Sequence, residues 1–216
     1  MPAAPFERDP QTSAAAFLPT RPSLTRLRRA AAHCRGCDLY KHATQTVFGE
    51  GRARARMMLV GEQPGESEDR AGRPFVGPAG KMLHHAMETA GINSRDVYVT
   101  NAVKHFKFIE RGKRRIHSKP KTTEILACRP WLEAETRLVR PALIVTLGAT
   151  AAQSLLGTSF RLMANRGTVI TSVLASPVLA TIHPSAILRA PDAPTRHREM
   201  KKFIEDLRIA ARAVEI

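Results

Sequence analysis

The sequence contains the uncharged run Ala142-Leu143-Ile144-Val145-Thr146-Leu147, which ends at Gly148. A short apolar run bounded by a glycine is typical of a strand that is buried on both faces of a sheet. Met57-Met58-Leu59-Val60 is a second run of this kind and ends at Gly61, and Asp96-Val97-Tyr98-Val99-Thr100 indicates a third strand. Strands buried on both faces require layers of helix above and below them.

Helical patterns lie between and around these runs. Ser23 suits the N-cap of a helix in which Leu24 and Leu27 share one face. We predict further helices at about 78–90, 122–139, 149–156 and 200–211, and two more strands at 169–174 and 177–182. The alternation of strands and helices predicts an α/β fold with a mostly parallel central sheet. In such folds, functional sites lie beyond the carboxyl ends of the strands.

The chain is strongly basic. It has 34 Lys and Arg against 19 Asp and Glu, which gives a net charge of +15. Such a field attracts polyanions, most commonly nucleic acid, although a generally basic protein without such a partner is the alternative. We find neither a membrane span nor the apolar core of a signal peptide, and we expect a cytoplasmic, nucleoid-associated protein. Residues 1–22 are rich in proline and predict a disordered tail before a single domain over 23–216.

Three cysteines cannot all pair with one another, so they do not form a disulfide framework. Cys34 and Cys37 form a Cys-x-x-Cys pair, and Cys128 lies far downstream. Without a secretory signal, this usage indicates a reducing compartment and either metal ligands or free thiols.

Four polar segments follow the predicted strands or lie in the loops after them. They are Gly61-Glu62-Gln63-Pro64-Gly65, the loop around Phe75, Asn101, and His183-Pro184-Ser185. Each has an ordinary structural interpretation: a solvated turn, a buried aromatic plug, an Asn that bonds the backbone, and a satisfied histidine. Each also has a functional one, since an aromatic ring can stack on a base and an Asn amide offers one donor and one acceptor group to the edge of a base. Their convergence on one sheet edge favours a site.

These segments, taken in order, resemble the family 4 and 5 uracil-DNA glycosylases. The matching motifs are Gly-Glu-x-Pro-Gly at 61–65, Pro-Phe-Val-Gly at 74–77, Asn101, and His-Pro-Ser at 183–185, and the resemblance covers about residues 24–212. It implies a three-layer α/β/α sandwich.

The resemblance also implies residue roles in base recognition. Phe75 would stack on uracil, Asn101 would read its edge, and residues around His183 would stabilise charge on the departing base. The loop from Ser185 to Arg189 would enter the minor groove and help to hold the base outside the helix.

The same resemblance implies a [4Fe–4S] cluster bound by four ligands, with Cys34, Cys37 and Cys128 as three of them. Where relatives carry the remaining cysteine, this chain has His105. From the residues alone, a Cys₃His set suits zinc at least as well as iron, and an unligated Cys-x-x-Cys pair is a further alternative. An imidazole ligand to an iron–sulfur cluster is chemically acceptable.

Two departures from ordinary family 4 members stand out. Position 63 is Gln, and a basic insertion occupies residues 111–118, within a segment, 104–121, that holds eight Lys or Arg and Glu110 as its one acid. The ordinary interpretation of the insertion is a solvated loop that contacts phosphates, for which Lys113, Arg114 and Arg115 are candidates.

Together, Gly-Glu-Gln-Pro-Gly and Lys-Arg-Arg-Ile-His resemble the UdgX-type branch, whose loop histidine bonds to DNA after uracil leaves. This resemblance implies that His117 attacks C1′ in a single turnover. Glu62 would orient its ring, Gln63 would bond uracil or hold the loop, and Asp69 is a weaker candidate for the substrate site.

Three other functions remain open at this point. The chain could be a multiple-turnover family 4 glycosylase, a sensor that binds uracil-DNA without cleaving it, or a zinc protein that binds nucleic acid. We expect its partner to be uracil-containing DNA, with single strands preferred, and we expect a monomer without membrane association.

Overall fold

The computed structural model describes residues 13–171 and 176–216. Within them, six strands form one sheet: β1 (Glu50–Gly51), β2 (Met57–Gly61), β3 (Val97–Asn101), β6 (Leu143–Leu147), β7 (Val169–Ile170) and β8 (Val178–Thr181). Their order in the sheet is β1-β3-β2-β6-β8-β7. The four inner strands are parallel, and the edge strands β1 and β7 run antiparallel to their neighbours. This mixed α/β architecture confirms the predicted fold class.

The described part of the chain also contains eight α-helices, three short 3-10 helices (Ala14–Phe17, Asp38–Lys41 and Ser94–Asp96) and a separate two-stranded hairpin. The hairpin consists of β4 (Phe108–Arg111) and β5 (Arg114–His117). The helices are α1 (Leu24–Ala31), α2 (Glu66–Ala71), α3 (Pro78–Thr89), α4 (Thr122–Val139), α5 (Ala149–Leu156), α6 (Leu162–Asn165), α7 (Pro184–Leu188) and α8 (Ala193–Ala213). None of these helices is long and apolar enough to cross a bilayer.

The apolar runs form the centre of the sheet because successive side chains point to opposite faces. Met57 and Leu59 of β2 pack with α3 and α8 on one face, whereas Met58 and Val60 pack with α4 and α5 on the other. All four side chains are inaccessible to solvent. The sheet is therefore the middle layer of an α/β/α sandwich.

The N-terminal segment differs from the predicted tail in the part that the structure describes. Residues 14–17 form a short 3-10 helix capped by Ser13, and Ala14 is buried against α4. Phe17 and Leu18 pack on the same cluster. The proline-rich composition of this segment gives no indication of these apolar contacts. Residues 1–12 of the predicted tail, and residues 172–174 of the strand predicted at 169–174, lie outside the described residues.

Two elements replace segments that we expected to be loops. Helix α2 begins at Glu66, where Glu68 accepts hydrogen bonds from the backbone N–H groups of Gly65 and Gly77 at 3.0 and 2.7 Å. The basic insertion forms the β4–β5 hairpin, with Gly112 in its turn at a φ of 57°. A glycine adopts this left-handed conformation without the steric cost of a Cβ.

A fully buried carboxylate, Glu135 of α4, connects the helix to the sheet. Its Oε2 lies 2.5 Å from Nζ of Lys104, which is also fully buried. Its Oε1 accepts hydrogen bonds from the Tyr98 hydroxyl at 2.9 Å and from the backbone N–H of Gly49 at 3.1 Å. Lys104 Nζ also donates to the backbone carbonyl of Asn101 at 2.8 Å. This network fixes the turn that follows β3.

We expect Lys104→Met to lower the free energy of unfolding by about 3–5 kcal/mol, because it leaves the carboxylate of Glu135 buried without a counter-charge. Adding Glu135→Gln should recover part of that loss, since a neutral amide oxygen still accepts from Tyr98 and Gly49. Urea denaturation of the two single variants and the double variant measures the coupling. Additive losses, with the double variant the least stable of the three, would contradict this account.

Candidate active site

The carboxyl ends of four parallel strands meet at one cleft of about 760 Å³. Glu62 follows β2, Asn101 ends β3, Gly148 follows β6 and His183 lies just beyond β8. All four line the cleft, as does Phe75 from the loop between α2 and α3. The structure thus brings together the polar segments that the sequence predicted at this edge of the sheet.

Gly61 allows two of these side chains to approach each other. A Cβ at this position would collide with Oδ1 of Asn101 and would lie 2.9 Å from Cζ of Phe75. Phe75 itself has a φ of 55°, in the left-handed region that non-glycine residues rarely adopt. Such conformations persist where the surroundings hold them, and they cluster at functional sites. The aromatic ring and the amide therefore form one packed wall of the cleft.

His183 presents a neutral ring to the cleft. Burial lowers its pKa to about 4, so the imidazole is uncharged at neutral pH. Its Nδ1 accepts the backbone N–H of Ser185 at 3.1 Å, which assigns the proton to Nε2. Its ring centroid lies 6.4 Å from that of Phe75, and the two planes are inclined by 27°. His183 can therefore donate a hydrogen bond from Nε2 to a group bound beside Phe75.

Glu62 and His117 form the polar pair of the cleft. Oε1 of Glu62 lies 3.3 Å from Nε2 of His117, and the side chain of His117 is 52% exposed. Burial alone would raise the pKa of Glu62, but the contacts with His117 and Thr150 outweigh it, and the pKa lies below its usual value. Glu62 is therefore a carboxylate at neutral pH, able to accept a proton or stabilise a cation.

Gln63 closes the base of the β4–β5 hairpin. Its Nε2 donates to the backbone carbonyls of Lys107 at 3.2 Å and Ser118 at 3.0 Å, and its Oε1 accepts from the N–H of Lys107 at 3.0 Å. These bonds join the residue before β4 to the residue after β5. We expected Gln63 either to bond uracil or to hold the loop. Its hydrogen bonds are those of a residue that holds the loop.

A second contact fastens the hairpin to α2. Nη1 of Arg115 lies 2.8 Å from the fully buried Asp69, and its guanidinium stacks 4.9 Å from the ring centroid of Phe108. Asp69 also accepts the backbone N–H of Thr44. Arg115 and Asp69, predicted for DNA and substrate, thus face each other inside the protein, and Asp69 does not line the cleft. Their sequence spacing gave no sign of this pairing.

The other predicted DNA-binding residues lie on the surface around the cleft. Lys113 and Arg114 are exposed in the hairpin, and Arg189 is exposed at the rim of the cleft. Ser185 is half-buried, and its hydroxyl lies 2.7 Å from Nδ1 of His183. Thr150, which contacts Glu62, belongs to no motif that stands out in the sequence. Its position two residues after Gly148, at a strand end like that of Glu62, is the signal that could have revealed it.

The three cysteines share the apolar cluster between α1 and α4. Cys34 Sγ accepts the indole N–H of Trp131, and Cys128 Sγ accepts the backbone N–H of Lys104, both at 3.3 Å. His105 lines a small cavity of about 230 Å³ together with Cys34, and its Nε2 lies 2.9 Å from Oγ1 of Thr46. Burial lowers the pKa of His105 to about 4, which leaves a neutral imidazole.

The three cysteines and His105 are chemically suitable ligands for an iron–sulfur cluster. N–H groups aimed at cysteine sulfur stabilise ligating thiolates, and a neutral imidazole can replace one thiolate. Among the residues that the structure describes, no three His, Cys, Asp or Glu side chains are gathered tightly enough to hold a single metal ion.

The fold and the cleft define a doubly wound α/β protein with a polar site at the carboxyl edge of its sheet. The pattern of the uracil DNA glycosylase superfamily matches residues 48–208, and the chain belongs to that superfamily. It is similar to the type-4 uracil-DNA glycosylase of Thermotoga maritima, with 36% identity over 81% of this chain and 85% of the relative. The type-4 enzyme of Sulfurisphaera tokodaii is 34% identical over 90% of this chain and 89% of the relative.

Proposed function

We propose that this protein removes uracil from DNA. The observation that carries the proposal is the wall formed by Phe75 and Asn101 opposite the neutral His183, in a chain whose relatives are named as type-4 uracil-DNA glycosylases. A base on the ring of Phe75 would meet an amide that offers one donor and one acceptor group. Uracil presents the complementary carbonyl and imide N–H, whereas cytosine has an amino group in place of one carbonyl.

The residues of the cleft can share the work of breaking the glycosidic bond. When the bond between N1 and C1′ breaks, its electron pair leaves with the base, and C1′ gains oxocarbenium character. The Nε2–H of His183 can donate to the uracil O2 on which charge develops. Glu62 can stabilise the cation, and it can accept the proton of a water molecule that bonds to C1′. The products are free uracil and an abasic site.

Asn101→Ala and Phe75→Ala should each lower kcat/KM on uracil-DNA by about tenfold to a hundredfold, on the order of 1–3 kcal/mol for each lost contact. Uracil release from a labelled oligonucleotide measures the effect. Asn93→Ala, at the opposite end of β3, is the matched control and should act like the wild-type protein. Unchanged discrimination between uracil and cytosine in Asn101→Ala would show that another residue reads the base.

A second candidate is covalent capture of the DNA by His117. The observation that favours it is the position of this histidine, which lines the same cleft as Phe75 and contacts Glu62 at 3.3 Å. The comparisons with type-4 enzymes favour release of an abasic site by water instead. Both reactions share the steps up to loss of uracil, and they differ in which nucleophile reaches C1′.

An imidazole held beside C1′ has the advantage over water in nucleophilicity and in proximity. One ring nitrogen would form the bond to C1′ while the other gives its proton to Glu62. The resulting N-alkyl imidazole has no neighbouring group to expel it, so the protein would stop after one turnover. Gln63 and Arg115 would act as positioning residues, since they fasten both ends and the middle of the hairpin that carries His117.

If His117 is the nucleophile, the wild-type protein should form a complex with uracil-DNA that survives SDS and heating, with at most one DNA per protein and with release of free uracil. His117→Ser should form no such band and should instead accumulate abasic product over several turnovers, because water then reaches C1′. Denaturing gels and uracil quantification measure both. His85→Ser, an exposed histidine on α3, is the control that should keep the covalent band.

Two results would decide against covalent capture. Multiple turnover by the wild-type protein without a heat-stable band would leave water as the nucleophile and the conventional reaction as the function. A band that persists in His117→Ser would assign the bond to another residue.

We propose further that Cys34, Cys37, His105 and Cys128 hold a [4Fe–4S] cluster. The support is the convergence of the three thiols in one apolar cluster, the two N–H groups aimed at sulfur, and a buried neutral histidine beside Cys34. When bound, the cluster would supply a cross-link between α4 and the segment after α1. The cleft carries out the chemistry.

Protein purified without oxygen should contain about four irons and four sulfides per chain. Cys128→Ala should lose the cluster and lower the thermal midpoint of unfolding, whereas His105→Cys should keep it, since a thiolate replaces the imidazole. Metal and sulfide analysis with the visible absorption spectrum measures this. Stoichiometric zinc without sulfide would overturn the assignment.

A further inference from the structure

The β4–β5 hairpin exposes an apolar pair on its outer face. Ile109 and Ile116 are cross-strand partners, so their side chains lie side by side, and they are 48% and 39% exposed. Single exposed apolar residues are common on protein surfaces, but adjacent ones that are bordered by polar groups form a patch of the kind that marks interaction sites. The pair is therefore a candidate contact surface.

The inner face of the same hairpin already holds it to the protein. Side chains alternate along each strand, so the pairs Phe108 with His117 and Glu110 with Arg115 share the face opposite the isoleucines. Arg115 makes the ion pair with Asp69 on this inner side. The outer isoleucines are thus not needed to fasten the hairpin.

Cations adjoin the isoleucines on the outer face. Arg111 and Arg114 are cross-strand partners two residues further along each strand, which places them on the same side as Ile109 and Ile116. Both arginines are exposed. Ile116 also lines the cleft, beside His117. An apolar surface bordered by guanidinium groups is therefore continuous with the proposed uracil site.

We propose that this outer face, formed by Ile109, Ile116, Arg111 and Arg114, binds the nucleotide next to uracil on a single strand of DNA. The base would lie on the two isoleucines, and the arginines would pair with its phosphate. This surface combines apolar contact with phosphate neutralisation, which single-strand binding sites require. In a duplex the neighbouring base stays paired and stacked, so its apolar face is not available. The proposal rests on the proposed function, because the uracil site sets where the neighbouring nucleotide lies.

The test compares two single-stranded uracil oligonucleotides that differ only at one flanking nucleotide. One carries a base there, and the other carries an abasic spacer with the same phosphates. The wild-type protein should bind the first about five- to tenfold more tightly, on the scale of a base contact, for the spacer on one side of uracil. The double variant Ile109→Ser/Ile116→Ser should lose this preference. Its affinity for both oligonucleotides should equal the affinity of the wild-type protein for the oligonucleotide with the spacer.

Three controls separate the surface from the rest of the site. Val169→Ser, which is 41% exposed on the edge strand β7, should keep the preference. Arg111→Ser/Arg114→Ser should weaken binding of both oligonucleotides equally and reduce its dependence on salt concentration. Uracil in a duplex of the same sequence should be bound equally well by the wild-type protein and by the double isoleucine variant.

The outcomes distinguish this proposal from the proposed function. The wild-type protein could bind the two oligonucleotides equally, whichever side of uracil carries the spacer. That result would overturn the proposed role of the outer face and would not bear on uracil excision. A double isoleucine variant that keeps the preference would also overturn it. A wild-type protein that shows the preference but releases no uracil would support the role of the outer face and overturn the proposed removal of uracil.

Discussion

An ammonium group and a carboxylate, those of Lys104 and Glu135, face each other where water has no access. Charges in such surroundings are tolerated only when every neighbour is in place, so the pair constrains the segments that meet around it. Helix α4, the turn after β3 and Gly49 before β1 are held in one arrangement by the bonds to these two side chains. The end of β3 consequently has little freedom to move, and Asn101 at that end inherits this rigidity.

The same turn separates two sites of different chemistry. Asn101 lies on its cleft side, whereas His105 lies on the side of the cysteines. Helix α4 connects the two regions, because Cys128, Trp131 and Glu135 follow the spacing of one helix face. Glu135 is in turn joined to the end of β3 through Lys104. The cysteines and the wall formed by Phe75 and Asn101 are therefore linked by a few buried contacts.

The sequence predicted the elements whose position is determined by burial of apolar side chains. It did not predict contacts with partners that are distant in the chain. Apolar runs such as 142–147 predicted the parallel strands, and strand-end residues predicted the cleft, because both follow from local patterns. The hairpin was read as a loop, since its charges mask the alternation along its strands. The role of Gln63 depends on carbonyl groups 44 and 55 residues away in the chain, and no local pattern encodes such bonds. The contact of Arg115 with the carboxylate of Asp69 spans 46 residues of the chain, and no local pattern encodes it either.

The two ends of the hairpin lie next to each other. The backbone N–H of Ser118 donates to the carbonyl of Lys107 at 2.9 Å, so residues 108–117 leave the body of the protein and return to the same point. A segment attached in this way can change at its tip and on its outer face without moving the sheet, as long as the ion pair of Arg115 with Asp69 is kept. Related proteins can therefore differ in the side chains that this hairpin places at the rim of the cleft, while the sheet and the wall formed by Phe75 and Asn101 stay as they are.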